Sequence, residues 1–255
     1  MAEIGYILLG LAAGILSGLF GIGGGIVLVP SLIVFFGLEI LDANATSLAA
    51  MLLPVGVLGV WSYYKAGLVN VRESLWISLG LFAGSFFGGE IAVNISEKLL
   101  STLYSLILIY VAVSYLDLPS LLKKIKKKKD AEVVVKKHSV WAFIAVGMAA
   151  GVFAGLFGKG GGIVIVPMLI AAFHYAPKMA VATSLAALQL PVGLPGVLVY
   201  AEAGHLNLLP SALIAAGIVA GALVGSVIGV RLPSDFFKKV YAFFLLVVAV
   251  YMVVK

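Results

Sequence analysis

The stretch Gly18-Leu19-Phe20-Gly21-Ile22-Gly23-Gly24-Gly25-Ile26-Val27-Leu28-Val29-Pro30 returns later in the chain as Gly155-Leu156-Phe157-Gly158-Lys159-Gly160-Gly161-Gly162-Ile163-Val164-Ile165-Val166-Pro167. Each copy interrupts an apolar segment with loose backbone. In hydrocarbon every peptide group needs a partner, so such backbone survives only where protein buries it or where it borders a protected cavity. The surroundings are those of a bilayer: hydrophobic residues make up 63% of the chain and charged residues 11%, and apolar stretches of transmembrane length recur. The chain reads as an all-α polytopic membrane protein.

The repetition extends far beyond the glycines. Pro30 pairs with Pro167 at an offset of 137, and the same offset aligns Ala45-Thr46-Ser47-Leu48 with Ala182-Thr183-Ser184-Leu185. It also aligns Pro54 and Gly56 with Pro191 and Gly193, Tyr63 with Tyr200, Asn70 with Asn207, and Gly80, Gly84 and Gly88 with Gly217, Gly221 and Gly225. An ungapped register of this length implies two homologous halves, 1–118 and 139–255, joined by a lysine-rich linker over 119–138. That linker holds eight of the seventeen Lys and Arg, so the net charge of +6 reflects a solvated inter-helix loop and not a nucleic-acid surface. The absence of Cys excludes disulfides and thiolate chemistry. Met1 to Phe20 lacks the basic start of a cleavable signal.

Each half reads as a glycine-broken apolar element, about 4–37 and 141–174, followed by three spans. The spans fall at about 44–64, 74–95 and 99–118, then at 180–201, 208–230 and 236–254. The broken element has arms short for full crossings. It is either a re-entrant helical hairpin, the form adopted in the fold expected here, or two short tilted spans. Loop charge sets the orientation of the halves, since Lys and Arg favour the cytoplasmic side. Glu39 and Asp42 face His174 and Lys178 in the repeat, Lys65 and Arg72 face Glu202 and His205, and Glu97 and Lys98 face Arg231, Lys238 and Lys239. The sign bias reverses at every equivalent loop, as expected of inverted-topology repeats. The linker is then cytoplasmic, the N-terminus outside and the protein a multi-pass component of the cell membrane.

Dense glycines let backbone approach a ligand closely, and the helix resuming near Pro30 or Pro167 offers free N–H groups at its positive end, an arrangement suited to an oxyanion. Gly23, Gly24, Gly25, Gly160, Gly161 and Gly162 are therefore expected to line a substrate site, with Lys159, opposite Ile22, as a cation for an anionic substrate. By contrast Gly14, Gly18, Gly80, Gly84, Gly88, Gly217, Gly221 and Gly225 have the four-residue spacing of helix-packing stripes. Thr46, Ser47, Thr183 and Ser184 are placed to bond substrate oxygens or to cap and bridge helices, and Gln189 is a further buried amide of the site. Asn44, opposite Val181, reads as a local cap, Tyr63 and Tyr200 as interfacial anchors, and Pro54 and Pro191 as kinks. Glu90 is the isolated intramembrane acid and the candidate for a coupling proton, or a snorkelling interfacial side chain. His138, His174 and His205 lack metal-ligand spacing, so neither a metal nor a cofactor is expected. With no nucleophile and base inside the spans, an enzyme is not expected either.

The doubled Gly-Leu-Phe-Gly-x-Gly-Gly-Gly-Ile-Val-x-Val-Pro element, each copy followed about fifteen residues later by Ala-Thr-Ser-Leu, resembles the TauE/SafE family of sulfite and organosulfonate exporters, within the toluene sulfonate uptake permease superfamily. The resemblance covers both halves. It implies a secondary transporter of small sulfur oxyanions or sulfonates driven by an ion gradient, with its motifs at Gly21 to Pro30, Gly158 to Pro167, Thr46-Ser47 and Thr183-Ser184. The residues themselves are in accord with alternating access around a midplane site. The competing expectation is an anion channel in which the glycine loops form re-entrant filters.

Overall fold

The computed structural model describes residues 2–20, 24–52, 54, 56–115, 139–158 and 161–231, and the regular elements among them are helices. The first half contributes α1 (Ala2–Phe20), α2 (Gly25–Phe36), α3 (Ile40–Ala50), α4 (Val57–Lys65), α5 (Val71–Asn94) and α6 (Glu97–Tyr115). The second contributes α7 (Val140–Phe157), α8 (Gly162–Ala171), α9 (Pro177–Ala187), α10 (Leu194–Glu202) and α11 (Leu208–Arg231), so that α7 to α11 repeat α1 to α5. The linker, Gly23, Lys159, Gly160 and the expected span over 236–254 lie outside the described residues.

Among the described residues four helices, α1, α5, α7 and α11, are long and apolar enough to cross a bilayer. They pack as two pairs, each drawn from both halves. Gly10, Gly14 and Gly18 lie on the backbone of Ile214, Ile218 and Ala222, while Gly217, Gly221 and Gly225 lie on that of Ile7, Leu11 and Ile15. The numbers rise together, so α1 and α11 run parallel. In the same way Gly80, Gly84 and Gly88 of α5 meet Ile144, Met148 and Val152 of α7, and Gly147, Gly151 and Gly155 meet Ile77, Leu81 and Ser85. Contacts are thus exchanged between the halves: Gly10 on Ile214 corresponds to Gly147 on Ile77, each residue moved by 137, as a two-fold relation requires. The expected packing role of the four-spaced glycines is what these contacts show. Lipid tails are as apolar as leucine, so helices associate by close packing, which small residues permit.

Two expectations about the helices change. The first arm of each glycine-broken element is not short, since α1 has 19 residues and α7 has 18. Only α2 and α8, with 12 and 10 residues, fall short of a crossing. Nor does helix resume near the prolines: α2 starts at Gly25 and α8 at Gly162, and Pro30 and Pro167 lie inside them. Gly24 packs on Ala13, in the middle of α1, and the rings of Tyr6 and Phe36 stack 4.3 Å apart, so α2 runs back along α1.

The span expected over 44–64 is two helices, α3 and α4, and the described residues between them, Met51, Leu52, Pro54 and Gly56, are not helical. Its repeat is α9 and α10, with 188–193 unwound. Pro54 and Pro191 therefore interrupt their spans instead of kinking them. Each proline lacks an N–H, its ring clashes with the preceding turn, and a glycine follows two residues later. The next helix restarts from the proline carbonyl, which accepts from Val57 N at 3.0 Å in one half and from Leu194 N at 3.0 Å in the other.

Candidate functional site

The two unwound segments meet around a cavity of about 40 Å3. A water needs roughly 10–15 Å3 on such a measure, so the space suits a few waters or a small anion. Around it stand Leu48 and Met51 at the end of α3, Gly56 before α4, Leu185, Leu188 and Gln189 at the end of α9, and Gly193 before α10. Ser17, Ala154, Leu81 and Ser85 of the long helices complete the wall with Gly161. Most of these are equivalent pairs (Ser17 with Ala154, Leu48 with Leu185, Met51 with Leu188, Gly56 with Gly193), so the cavity sits between the halves. The four ends of the interrupted spans converge there, two N-termini and two C-termini, together with the N-terminus of α8 at Gly161. N-termini favour negative charge, although Val57 N and Leu194 N are already bonded to the proline carbonyls and Pro195 has no N–H.

Polar groups are unequal across this symmetry. On the second-half break, Ser85 Oγ lies 2.8 Å from Val192 O, and Ser78 Oγ lies 2.7 Å from Ala187 O. One turn further along, Ser74 Oγ lies 3.0 Å from Thr183 O. Ala187 O and Val192 O lie at the break, where the helix supplies no N–H. The hydroxyls of Ser78 and Ser85 are in reach of them, each shared with a carbonyl of α5 itself, Ser74 O at 2.8 Å and Phe82 O at 2.9 Å. The equivalents of Ser78 and Ser85 on α11 are Ala215 and Ala222. No feature of the sequence reading singled out these serines; their four- and seven-residue spacing on the face of α5 was the available signal.

Gln189 lines the cavity. Its Nε2 donates to Leu185 O at 2.8 Å, while Oε1 is buried without a partner. Gly56 makes room for it, since a Cβ there would lie 2.7 Å from Nε2. Thr46, Ser47, Thr183 and Ser184 are all buried, in the helices that lead to the breaks. Thr183 Oγ1 accepts from Asn70 N at 3.4 Å, whereas Thr46 Oγ1 and Ser47 Oγ have no partner. None of the four is in the cavity wall itself. Among the six site glycines, Gly161 lines the cavity, Gly24 packs on α1, and Gly25 and Gly162 open α2 and α8 in buried positions. Glu90 is half-buried on α5 beside Gly89 and is not in the wall.

Three residues expected elsewhere, Tyr63, Tyr200 and Asn44, belong to the support of the glycine loops. Tyr63 and Tyr200 are not interfacial anchors: they are buried, and their hydroxyls donate to Gly18 O at 3.3 Å and Gly155 O at 2.8 Å. Asn44 is not a cap of its own helix. It lies fully buried mid-helix in α3, and its Nδ2 donates to Leu156 O at 3.0 Å, leaving Oδ1 unpartnered. Gly158, at φ +61, presses its α-carbon against the Asn44 backbone; a Cβ would lie 2.5 Å from Asn44 O, so both conformation and space demand glycine. The loop bearing Lys159 thus departs from a point anchored by Asn44 and Tyr200.

The profile of the family described as "Sulfite exporter TauE/SafE" matches residues 6–252 of this chain. The chain belongs to the TauE/SafE family. "Probable membrane transporter protein YunE" of Bacillus subtilis is 28% identical over 250 residues, covering 92% of this chain and 91% of the relative. A "Probable membrane transporter protein" of Haemophilus influenzae is 29% identical, covering 98% and 97%. "Probable membrane transporter protein MJ0441" of Methanocaldococcus jannaschii is 33% identical over 190 residues, 72% of this chain and 67% of the relative. No solved structure matches. The TauE/SafE assignment makes the function class membrane transport and not catalysis. It also fits the architecture, in which four bilayer-length helices frame two interrupted ones.

Proposed function

We propose that this TauE/SafE protein is a secondary transporter of small anions, with sulfite or an organosulfonate as the substrate, working by alternating access at the cavity between the two broken spans. The observation that carries the reading is the convergence there of four helix ends, with Gly161 and Gln189 in the wall. Anions bind without a dedicated cation where helix N-termini converge, and a space of about 40 Å3 suits a closed state around a small ligand. Lys159, Gly23, Gly24, Gly25, Gly160 and Gly162 supply the approach from the two glycine loops. Thr46, Ser47, Thr183 and Ser184 stand behind the wall, available when the helices shift. An ion gradient drives the cycle, with Glu90 the intramembrane acid that would carry a proton.

The halves are inverted in the plasma membrane, with the N-terminus outside and the 119–138 linker in the cytoplasm. Support comes from the course of the chain. The α3–α4 span starts at the end where α1 starts and reaches Gly18 near the far end of α1, where Tyr63 bonds. Helix α5 then begins at that far end and returns. Because α5 is parallel to α7, α7 runs opposite to its counterpart α1.

The test is flux of sulfite and organosulfonates in proteoliposomes, with and without a proton gradient. Saturable flux with counter-transport is the expected result. Single-channel currents would replace the carrier by the pore, and no movement of any tested anion would sink the substrate class. Thermal-shift screening against the same anions gives an independent check, because a ligand bound only by the folded state raises the melting temperature.

A further inference from the structure

A second cavity, of about 220 Å3, lies at the end of the molecule where α3 and α11 begin. Asp42 and Thr46 of α3 border it from the first half, and His205, Leu206 and Asn207 of the turn between α10 and α11 border it from the second. His205 Nδ1 lies 2.7 Å from Asp42 Oδ1, so this hydrogen bond ties one half to the other across the cavity. Thr46 Oγ1 is buried beside it without a partner. The 137-residue relation places Met179 and Leu68 at the corresponding positions of the opposite junction, so this pair is not repeated there. There the tie is Asn70 N donating to Thr183 Oγ1.

We propose that Asp42 and His205 form a proton-binding site shared by the two halves, and that its bound proton holds this face of the molecule closed. With both ring nitrogens protonated, the imidazolium donates a charge-assisted bond to the carboxylate; the neutral ring leaves a weaker one. The side chains are 25% and 38% exposed, so the proton comes from and returns to the aqueous side. Imidazole changes charge within the physiological range. Acid therefore favours the closed face, and rising pH releases it. The other charged groups at this end are Glu39 beside Asp42, Glu202 at the end of α10, Glu3 in the first turn of α1, and Glu97 and Lys98 in the first turn of α6, which packs on α3. Among the described residues none of these joins the pair in an ion pair. The inference rests on the alternating-access reading for its consequence, and on the inter-half bond for its site.

The chain has no cysteine, so single cysteines can be labelled without background. Leu206→Cys, in the cavity wall, is labelled with a membrane-impermeant maleimide from about pH 5.5 to about pH 8 in the parent and in the His205→Gln background. The rate in the variant divided by that in the parent cancels the titration of the thiol itself. The expected ratio is about three- to fivefold at the acid end and near one at the alkaline end. Val69→Cys, the counterpart on the other face, is labelled in the same way, both in detergent-solubilised protein. It should give a ratio below one at the acid end, since alternating access opens one face as it closes the other, and near one at the alkaline end. A ratio that does not change with pH, or an equal change at Val69→Cys, overturns the proposal. Asp42→Asn must reproduce the His205→Gln result in protein whose melting temperature shows it folded; retained pH dependence there also overturns it. No flux is needed for this readout. Flat labelling ratios in a protein that transports remove the proton site alone, whereas a pH-dependent ratio without anion flux removes the transport reading and leaves the site.

Discussion

The two interrupted spans occupy equivalent places and are held in different ways. In the second, the serines of α5 reach the carbonyls of Ala187 and Val192 that the break at Pro191 sets free. In the first, α11 presents Ala215 and Ala222 at the matching positions, so those hydroxyl donors are missing. The polar groups on the helices differ in the same sense: Thr183 has a backbone donor, whereas Thr46 and Ser47 have buried hydroxyls without partners. Duplication explains the shared frame, within which polar satisfaction is unequal. Even the second break keeps one buried polar atom without a partner, Gln189 Oε1.

The largest effect is expected where the two halves do not differ. A side chain at Gly221 or at Gly84 would run into the backbone carbonyl of Leu11 or of Met148. Backbone cannot yield as a rotamer can, so Gly221→Val and Gly84→Val should each cost at least the ~1–3 kcal/mol typical of overpacking. Both variants should fail to accumulate as monodisperse protein in fluorescence-detected size exclusion. If one is tolerated and the other is not, the paired frame is less symmetric than its contacts imply.

Next comes the difference itself. Ser78→Ala removes the hydroxyl whose one proton is shared between Ala187 O at 2.7 Å and Ser74 O at 2.8 Å, and should cost about 1 kcal/mol and lower the melting temperature by a few degrees. Ala215→Ser places the same group on the first break. If the first break owes its freedom to the missing donor, this variant should raise the melting temperature slightly and slow transport. An unchanged rate would detach the serine ladder from mobility.

Tyr200→Phe and Tyr63→Phe compare the anchors of the two glycine loops. The bond to Gly155 O is 2.8 Å and that to Gly18 O is 3.3 Å, so the first substitution should cost about 1 kcal/mol and the second less. Thermal melts of the two variants side by side decide this, and equal losses would mean that distance does not rank the anchors.

What was legible in the sequence follows from what repeats. The helical class and the pairing of small residues in four-spaced stripes show because packing in lipid demands glycine at fixed intervals, and the offset of 137 exposes both copies. The breaks around Pro54 and Pro191 did not show, because Met51, Leu52 and Leu53 beside Pro54 are as apolar as the helices around them and hydropathy does not fall where the helix ends. Proline there is compatible with a kink or a break, and only the neighbours decide. Asn44 and the tyrosines were misplaced for another reason. Their partners, Leu156, Gly18 and Gly155, lie 112 and 45 residues away, on helices whose proximity no local pattern records.

Thr46 and Thr183 give the smallest expected effect on stability and the clearest separation of structure from function. Valine matches threonine in shape and removes the hydroxyl. At Thr183 the hydroxyl accepts a long bond from Asn70 N, so Thr183→Val should lower stability by roughly 0.5–1.5 kcal/mol. At Thr46 the hydroxyl is buried and unpartnered, and removing an unpartnered polar group is neutral or stabilising, so Thr46→Val should melt at or above the parent temperature. The same variant should lose anion flux if that hydroxyl finds its partner only in the working cycle. A Thr46→Val protein that melts higher and transports as the parent does would show that its buried hydroxyl has no part in the cycle. It would also return the first break to equality with the second.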